Sequence, residues 1–233
     1  MSANATNAMN VLSAGAAKAV VTKVAQQAGI TLAGAFGAVG AMQDKLLAGE
    51  PADVIVLTSP MLQALAAQGR VDGASIAALG KVRTGFAVKA GAARPAIADA
   101  EQLRAALLAA DALYVPDTRL STAGKHVAAM LSALGIAGEL QARLREYPNG
   151  ATAMREMAAG SDARPVGCTQ VSEILYTPGV DLVGALPAQF ELSTVYAAAV
   201  CTQAADARAA AAFVATLCGA ASAALRTQAG FEL

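Results

Sequence analysis

Residues 47–60 read Leu-Ala-Gly-Glu-Pro-Ala-Asp-Val-Ile-Val-Leu-Thr-Ser-Pro, and the order of residue types in this stretch decides the fold. Gly49 tolerates the left-handed geometry in which a helix ends. Asp53 to Leu57 is a short Val/Ile/Leu run, the pattern of a strand buried on both faces. Ser59-Pro60 then opens another helix, with a hydroxyl to cap it and a proline in its first turn. Helix, strand and helix joined by so few residues is one step of a parallel sheet covered by helices.

The same rhythm extends in both directions. Upstream lie a strand at Asn10–Ser13, a helix at Ala16–Gln27 closed by Gly29, a strand at Ile30–Phe36 and a helix at Gly40–Ala48. Downstream, Arg83 to Lys89 is strand-like and leads through the loop Ala90–Ala98 into a helix at Asp99–Ala109. A second α/β series follows: strand Ala112–Val115, loop Pro116–Leu120, helix Ser121–Leu134, helix Asn149–Ala159, strand Pro165–Cys168, short helix Gln170–Leu175 and strand Val180–Val183. A strand at Thr194–Cys201 and a helix at Ala205–Arg226, broken at Gly219, complete the chain. The class is α/β. Two lobes, residues 1–84 with 195–233 and residues 85–194, each a mostly parallel sheet flanked by helices, account for this order better than one continuous sheet. Two extended crossings, near Arg83–Lys89 and Gln189–Tyr196, join them.

Composition narrows the function. The 233 residues are 56% hydrophobic and 15% charged, yet no uninterrupted apolar run approaches the roughly 18–20 residues of a membrane span, so membrane insertion is not expected. Seventeen basic residues balance seventeen acidic ones, which removes the basic stripe a nucleic-acid backbone requires. Three cysteines without C-x-x-C spacing and a single histidine, His126, suggest neither a disulfide framework nor a metal site, and no cofactor is expected. Met1 to Met9 is polar and lacks the features of a secretory signal, so the chain as written reads as cytoplasmic, or as periplasmic if a signal has been removed.

The informative motifs lie where strands hand over to helices. Ser13-Ala14-Gly15, Gly37-Ala38-Val39-Gly40, Thr58-Ser59 and Asp117 through Ser121-Thr122-Ala123-Gly124 are small-residue turns at which helix N–H groups can hold an anion, or which simply turn the chain. Ser121 and Thr122 either cap their helix or donate to a ligand. Thr169 and Gln170, at a polar strand end, can hydrogen-bond a carboxylate, while Ser172 and Glu173 cap and solvate the next helix. Arg119, in the loop before Ser121, offers a planar two-pronged donor, as does Arg83. Tyr196 brings a hydroxyl to the second crossing or packs in the core. Cys168 reads as an inert small hydrophobe.

Val11-Leu12-Ser13-Ala14-Gly15, Phe36-Gly37-Ala38-Val39-Gly40, Leu47 through Val54, and Val115-Pro116-Asp117 with Ala123-Gly124 resemble the molybdate-binding members of the type II periplasmic solute-binding proteins. The resemblance covers almost the whole chain. It implies two lobes, a small anionic ligand in the cleft between them, closure by hinge motion, and an ABC transporter as partner if the chain is exported. Oxyanion-binding members place hydroxyls in the first two turns, where this sequence has Gly15 and Ala38-Val39-Gly40. That points to an organic carboxylate rather than molybdate or tungstate. Aconitate isomerase resembles the same family, which implies a second use of the scaffold: an allylic proton shift on an unsaturated di- or tricarboxylic acid, with His126, Lys125 or Glu173 as the base.

Overall fold

The computed structural model describes residues 8–233, so most of the polar stretch on which the reading of a missing export signal rests lies outside the described residues. Two compact units are present. One comprises the chain up to Lys81 together with Val195–Leu233, and the other is Val82–Thr194.

The first unit contains β1 (Ala8–Ala14), a single 3-10 turn at Gly15–Ala17, α1 (Lys18–Gln27), β2 (Thr31–Gly37), α2 (Val39–Leu47), β3 (Val54–Thr58) and α3 (Ser59–Ala67). The chain leaves it along β4 (Ala77–Lys89). In the second unit follow α4 (Ala100–Ala109), β5 (Ala112–Pro116), α5 (Thr122–Ala133), α6 (Ala137–Leu140), β6 (Leu144–Tyr147), α7 (Gly150–Ala159), β7 (Pro165–Gln170), α8 (Val171–Tyr176) and β8 (Val180–Ala185). The chain returns along β9 (Ser193–Val200) and ends in α9 (Ala207–Cys218) and α10 (Ala223–Gln228).

Both units follow one plan. In the first, β1 lies between β2 and β3, all parallel, and β9 pairs antiparallel with β3. In the second, β5 lies between β6 and β7, all parallel, with β4 antiparallel to β7 and β8 antiparallel to β4. Each sheet is thus mixed, three parallel strands with antiparallel strands added to them. In each unit, three strands hand over to helices at the same end of the sheet, on both sides of a central strand, which is where open α/β sheets bind ligands.

Local sequence explains these elements. All of β3 is buried, as a strand covered on both faces must be. Gly29 and Gly49, at φ of 66° and 88°, end α1 and α2 in the left-handed region. A Cβ at Gly34 would lie 2.3 Å from the Val11 carbonyl oxygen, so β1 and β2 pair closely only because that side chain is missing. Asp53, from the quoted stretch, is buried and accepts from the Asn10 and Ala205 N–H groups, which ties β1 and the approach to α9 to the start of β3. In the second unit, Leu113 and Val115 face α4 and α5 while Ala112 and Tyr114 face α7 and α8, the period-two alternation of a strand between two helical layers.

Two local readings change. Thr58, not Ser59, is the N-cap of α3, and Ser59 and Pro60 are its first two helical residues. The strand β6 had no hydrophobic signature, because Leu-Arg-Glu-Tyr is an edge strand whose outer side needs no apolar cover.

Candidate functional site

In the first unit, the helix starts that follow β1, β2 and β3 carry no side-chain cap. An α-helix leaves its first N–H groups without intrahelical partners, and a Ser, Thr, Asp or Asn at the N-cap ordinarily satisfies one. Ala14 precedes the 3-10 turn into α1 and Ala38 precedes α2; both are buried, extended or nearly so, and unable to cap. Thr58 carries a hydroxyl but makes no cap bond to α3. The Ser13 hydroxyl donates instead to the Ala14 carbonyl, at 3.1 Å. Gly15 and Gly40 are partly exposed, and Gly37 and Val39 are buried beside them. Lys18, in the first turn of α1, holds its ammonium 5.7 Å from the centroid of the Phe36 ring, which brings a cation to the turns that follow β1 and β2. Its place one turn beyond Gly15 was legible in the sequence, but the contact with Phe36 was not.

In the second unit α5 and α7 are capped by side chains, whereas α6 and α8 are not. Ser121 accepts from the Gly124 N–H at 3.3 Å and caps α5, so this hydroxyl serves its own helix, and Thr122 and Ala123 are the following first-turn residues. Gly124 is needed for packing, since a Cβ there would lie 2.2 Å from the Asp117 carbonyl oxygen. The Asp117 carboxylate locks the loop by accepting from the Arg119 and Leu120 N–H groups, at 2.7 and 2.8 Å. Desolvation pushes its pKa up, but those two donors and the charges of Arg119 and Lys125 outweigh it and hold the carboxyl below its usual value.

Asn149 caps α7 by accepting from the Thr152 N–H at 2.8 Å, and the protein's own Glu173 carboxylate also lies at this helix start. Glu173 is buried on α8 and receives the Thr169 hydroxyl at 2.5 Å together with the N–H groups of Ala151, Gln170 and Gly150. Burial raises its pKa and these four hydrogen bonds oppose the rise. The fit depends on Gly150, where a Cβ would lie 1.9 Å from Thr169 Oγ1 and 2.0 Å from Glu173 Oε2. Thr169 and Glu173 therefore serve each other, and the α7 start is an anion position already filled.

On the opposite face of β7, Gln170 and Thr84 stand directly across from one another in the β4–β7 register. The Gln170 amide donates to Thr194 at 3.4 Å, while its Oε1, the Thr84 hydroxyl and the Ser172 hydroxyl are buried without a partner. Buried polar atoms are nearly always paired, so three unmet ones near the carboxyl end of β7 mark a place that wants polar company. Thr84 and Thr194 carried no motif in the sequence and became visible only through the pairing of β4 with β7 and the Gln170 hydrogen bond.

The three candidate bases are not gathered. Lys125 is exposed on α5, and Glu173 lies on the α7 side of the sheet. His126, on α5 at the other side, is half-buried with Nε2 2.8 Å from the Phe190 carbonyl oxygen. Arg119 is exposed. Tyr196 is buried opposite Thr58 in the β3–β9 register, edge-on to Phe231 at 6.3 Å. Burial pushes the Cys168 thiol up to about 12, so it is not a thiolate at neutral pH. Among the described residues, no single helix is long and apolar enough to cross a membrane, and no cluster of three or more His, Cys, Asp or Glu side chains could hold a metal ion.

A protein family described as bacterial extracellular solute-binding protein matches residues 9–232. An aconitate isomerase from Pseudomonas is 29% identical over 160 residues, a match that spans 68% of this chain and 59% of that protein's length. The periplasmic molybdate-binding protein of Azotobacter vinelandii has the same fold, with a TM-score of 0.75 at 19% identity over 97% of this chain and 99% of that one. A sulfate-binding protein from Mycobacterium tuberculosis superposes with a TM-score of 0.68 at 20% identity, over 97% of this chain and 86% of that one.

Proposed function

The chain belongs to the bacterial extracellular solute-binding proteins, and on that premise we propose that it binds a small organic carboxylate at its helix starts. The observation that carries this reading is the contrast in capping. The chain caps α4, α5, α7 and α9 with Asp99, Ser121, Asn149 and Asp206, yet all three helices that follow the parallel strands of the first unit, α1, α2 and α3, lack a side-chain cap, as do the short α6, α8 and α10. N–H groups that no side chain caps, at Gly15 and in the Ala38-Val39-Gly40 turn, suit an anion supplied from outside. A planar carboxylate presents two acceptors to adjacent N–H groups and needs no serine hydroxyl at those turns. Within the second unit, Thr122 and Ala123 at the α5 start, the unmet Gln170, Thr84 and Ser172, and the exposed Arg119 are that unit's own candidate anion contacts. The chain would act outside the cytoplasmic membrane and hand its ligand to an ABC transporter.

Thermal unfolding and calorimetric titration against molybdate, sulfate, succinate, citrate and trans-aconitate test this. A carboxylate should raise Tm saturably, by the equivalent of about 2.7 kcal/mol at a hundred times Kd. Stabilisation by molybdate or sulfate alone would overturn the carboxylate assignment, and no response to any of them would overturn anion binding.

The likeness to aconitate isomerase favours a second reading, an allylic proton shift on an unsaturated tricarboxylic acid. His126 is the base best suited to it. An Nε2–H donating to the Phe190 carbonyl leaves the Nδ1 lone pair to take a proton from the carbon beside a carboxylate; as the double bond moves, the proton returns at the far allylic carbon. Lys125 and Glu173 are the alternatives. Incubation with trans-aconitate in heavy water, followed by NMR, should show deuterium entering carbon positions, with His126→Gln slowing this about 100-fold or more. A bound acid that keeps its carbon-bound protons would end this reading.

A further inference from the structure

Independently of the ligand just proposed, the second unit contains a cavity of about 510 Å³ at the opposite end of its sheet, where β5 and β7 begin and β4 ends. Its walls are small and apolar, with Val88, Ala106, Ala109, Ala110, Ala163 and Val166 among them, so space is left that larger side chains would have filled. The charged residues of its lining are Lys89 and Arg164, both cationic, and no acidic residue lines it.

The carboxylates nearby are all committed elsewhere. Asp111 accepts from the Ala163 and Arg164 N–H groups, Asp162 from the Tyr114 hydroxyl, and Asp181 from the Gly91 N–H while pairing with Arg94. Lys89 spends its ammonium on the Gly160 and Asp162 carbonyls. The carbonyls of Leu108 and Ala110, at the end of α4, are taken by Arg143. Arg164 alone remains: it is exposed, and its guanidinium makes no ion pair or hydrogen bond among the described residues. An apolar chamber of ligand size with one uncompensated guanidinium in its lining has the makings of a pocket for an amphipathic anion.

We propose that this cavity is a second binding site, for a small amphipathic carboxylate whose alkyl or aryl body fills the alanine-lined space while its head pairs with Arg164. Octanoate, octylamine, octan-1-ol and acetate, titrated into the full chain by calorimetry or by NMR of a carboxyl-labelled acid, separate the contributions. Octanoate should bind saturably with Kd on the order of 1 mM, as expected of a ligand of its size. Acetate should bind about 100-fold more weakly or not at all, for want of the buried methylenes. Octylamine should bind about ten-fold more weakly, because its head meets a like charge. Arg164→Gln, which keeps the backbone N–H that Asp111 holds, should weaken octanoate about five- to ten-fold and leave octan-1-ol unchanged. Ala109→Trp, a substitution at an exposed position, should block octanoate and octan-1-ol alike. Equal binding of octanoate and octylamine, binding unaffected by Ala109→Trp, or no saturation by octanoate would each overturn the proposal.

Discussion

Glu173 is the residue through which the second unit's site is most tightly organised. Removing its carboxylate leaves the Thr169 hydroxyl and the N–H groups of Gly150 and Ala151 without their acceptor inside the protein. Glu173→Ala should therefore cost about 2–4 kcal/mol in urea unfolding. Gly150→Ala should cost a comparable amount, and because its Cβ would collide chiefly with Glu173 and Thr169, that cost should shrink in the Glu173→Ala background; strict additivity would show that the two do not share one space. Burial raises the Glu173 pKa, so the folded chain keeps this proton at pH values where the unfolded chain has released it. The resulting stability is fully present below the ordinary carboxyl value and is lost as pH rises through the raised one. The stability difference between the protein and Glu173→Gln should decline across that window, and a flat difference would remove the assignment. From the sequence, Glu173 reads as a residue that caps and solvates its own helix or as a candidate general base, because nothing local reveals that the α7 start is its partner.

The helices that follow β1, β2 and β3 lack side-chain caps, and supplying one predicts an exchange of stability for binding. Ala38 has the extended backbone of an N-cap, at φ −60° and ψ 142°, and lacks only the side chain. Ala38→Asp should stabilise the unliganded protein by about 0.5–2 kcal/mol by satisfying α2 from within. It should also weaken anion binding, because the new carboxylate takes the donors and repels the ligand. Higher Tm with unchanged affinity for the carboxylate that binds best would show that the α2 start holds no ligand. Elements with a strong local signal were legible here: Gly29 and Gly49 end helices where their positions suggest, and Asp99, Ser121 and Asn149 cap where they stand. The edge strand β6 was not, because half-buried polar residues give neither periodicity nor a hydrophobic run.

At the scale of the whole chain, the second unit is one continuous segment, Val82–Thr194, with apolar layers on both faces of its sheet, whereas the first is assembled from two segments. A fragment of residues 82–194 should therefore fold alone and unfold in one cooperative transition followed by circular dichroism; a fragment that stays unstructured would show that the segment depends on the rest of the chain. The sequence by itself determined the alternation of strands and helices, the α/β class and the small-residue turns, because these follow from local hydrophobic pattern, capping chemistry and glycine geometry. Tertiary structure alone decided that Glu173 occupies the α7 start, that Thr84 stands opposite Gln170, and that the acids around Arg164 are already engaged. Those facts depend on which strands pair and which helices meet across tens of residues of intervening chain, and no local preference encodes such pairings.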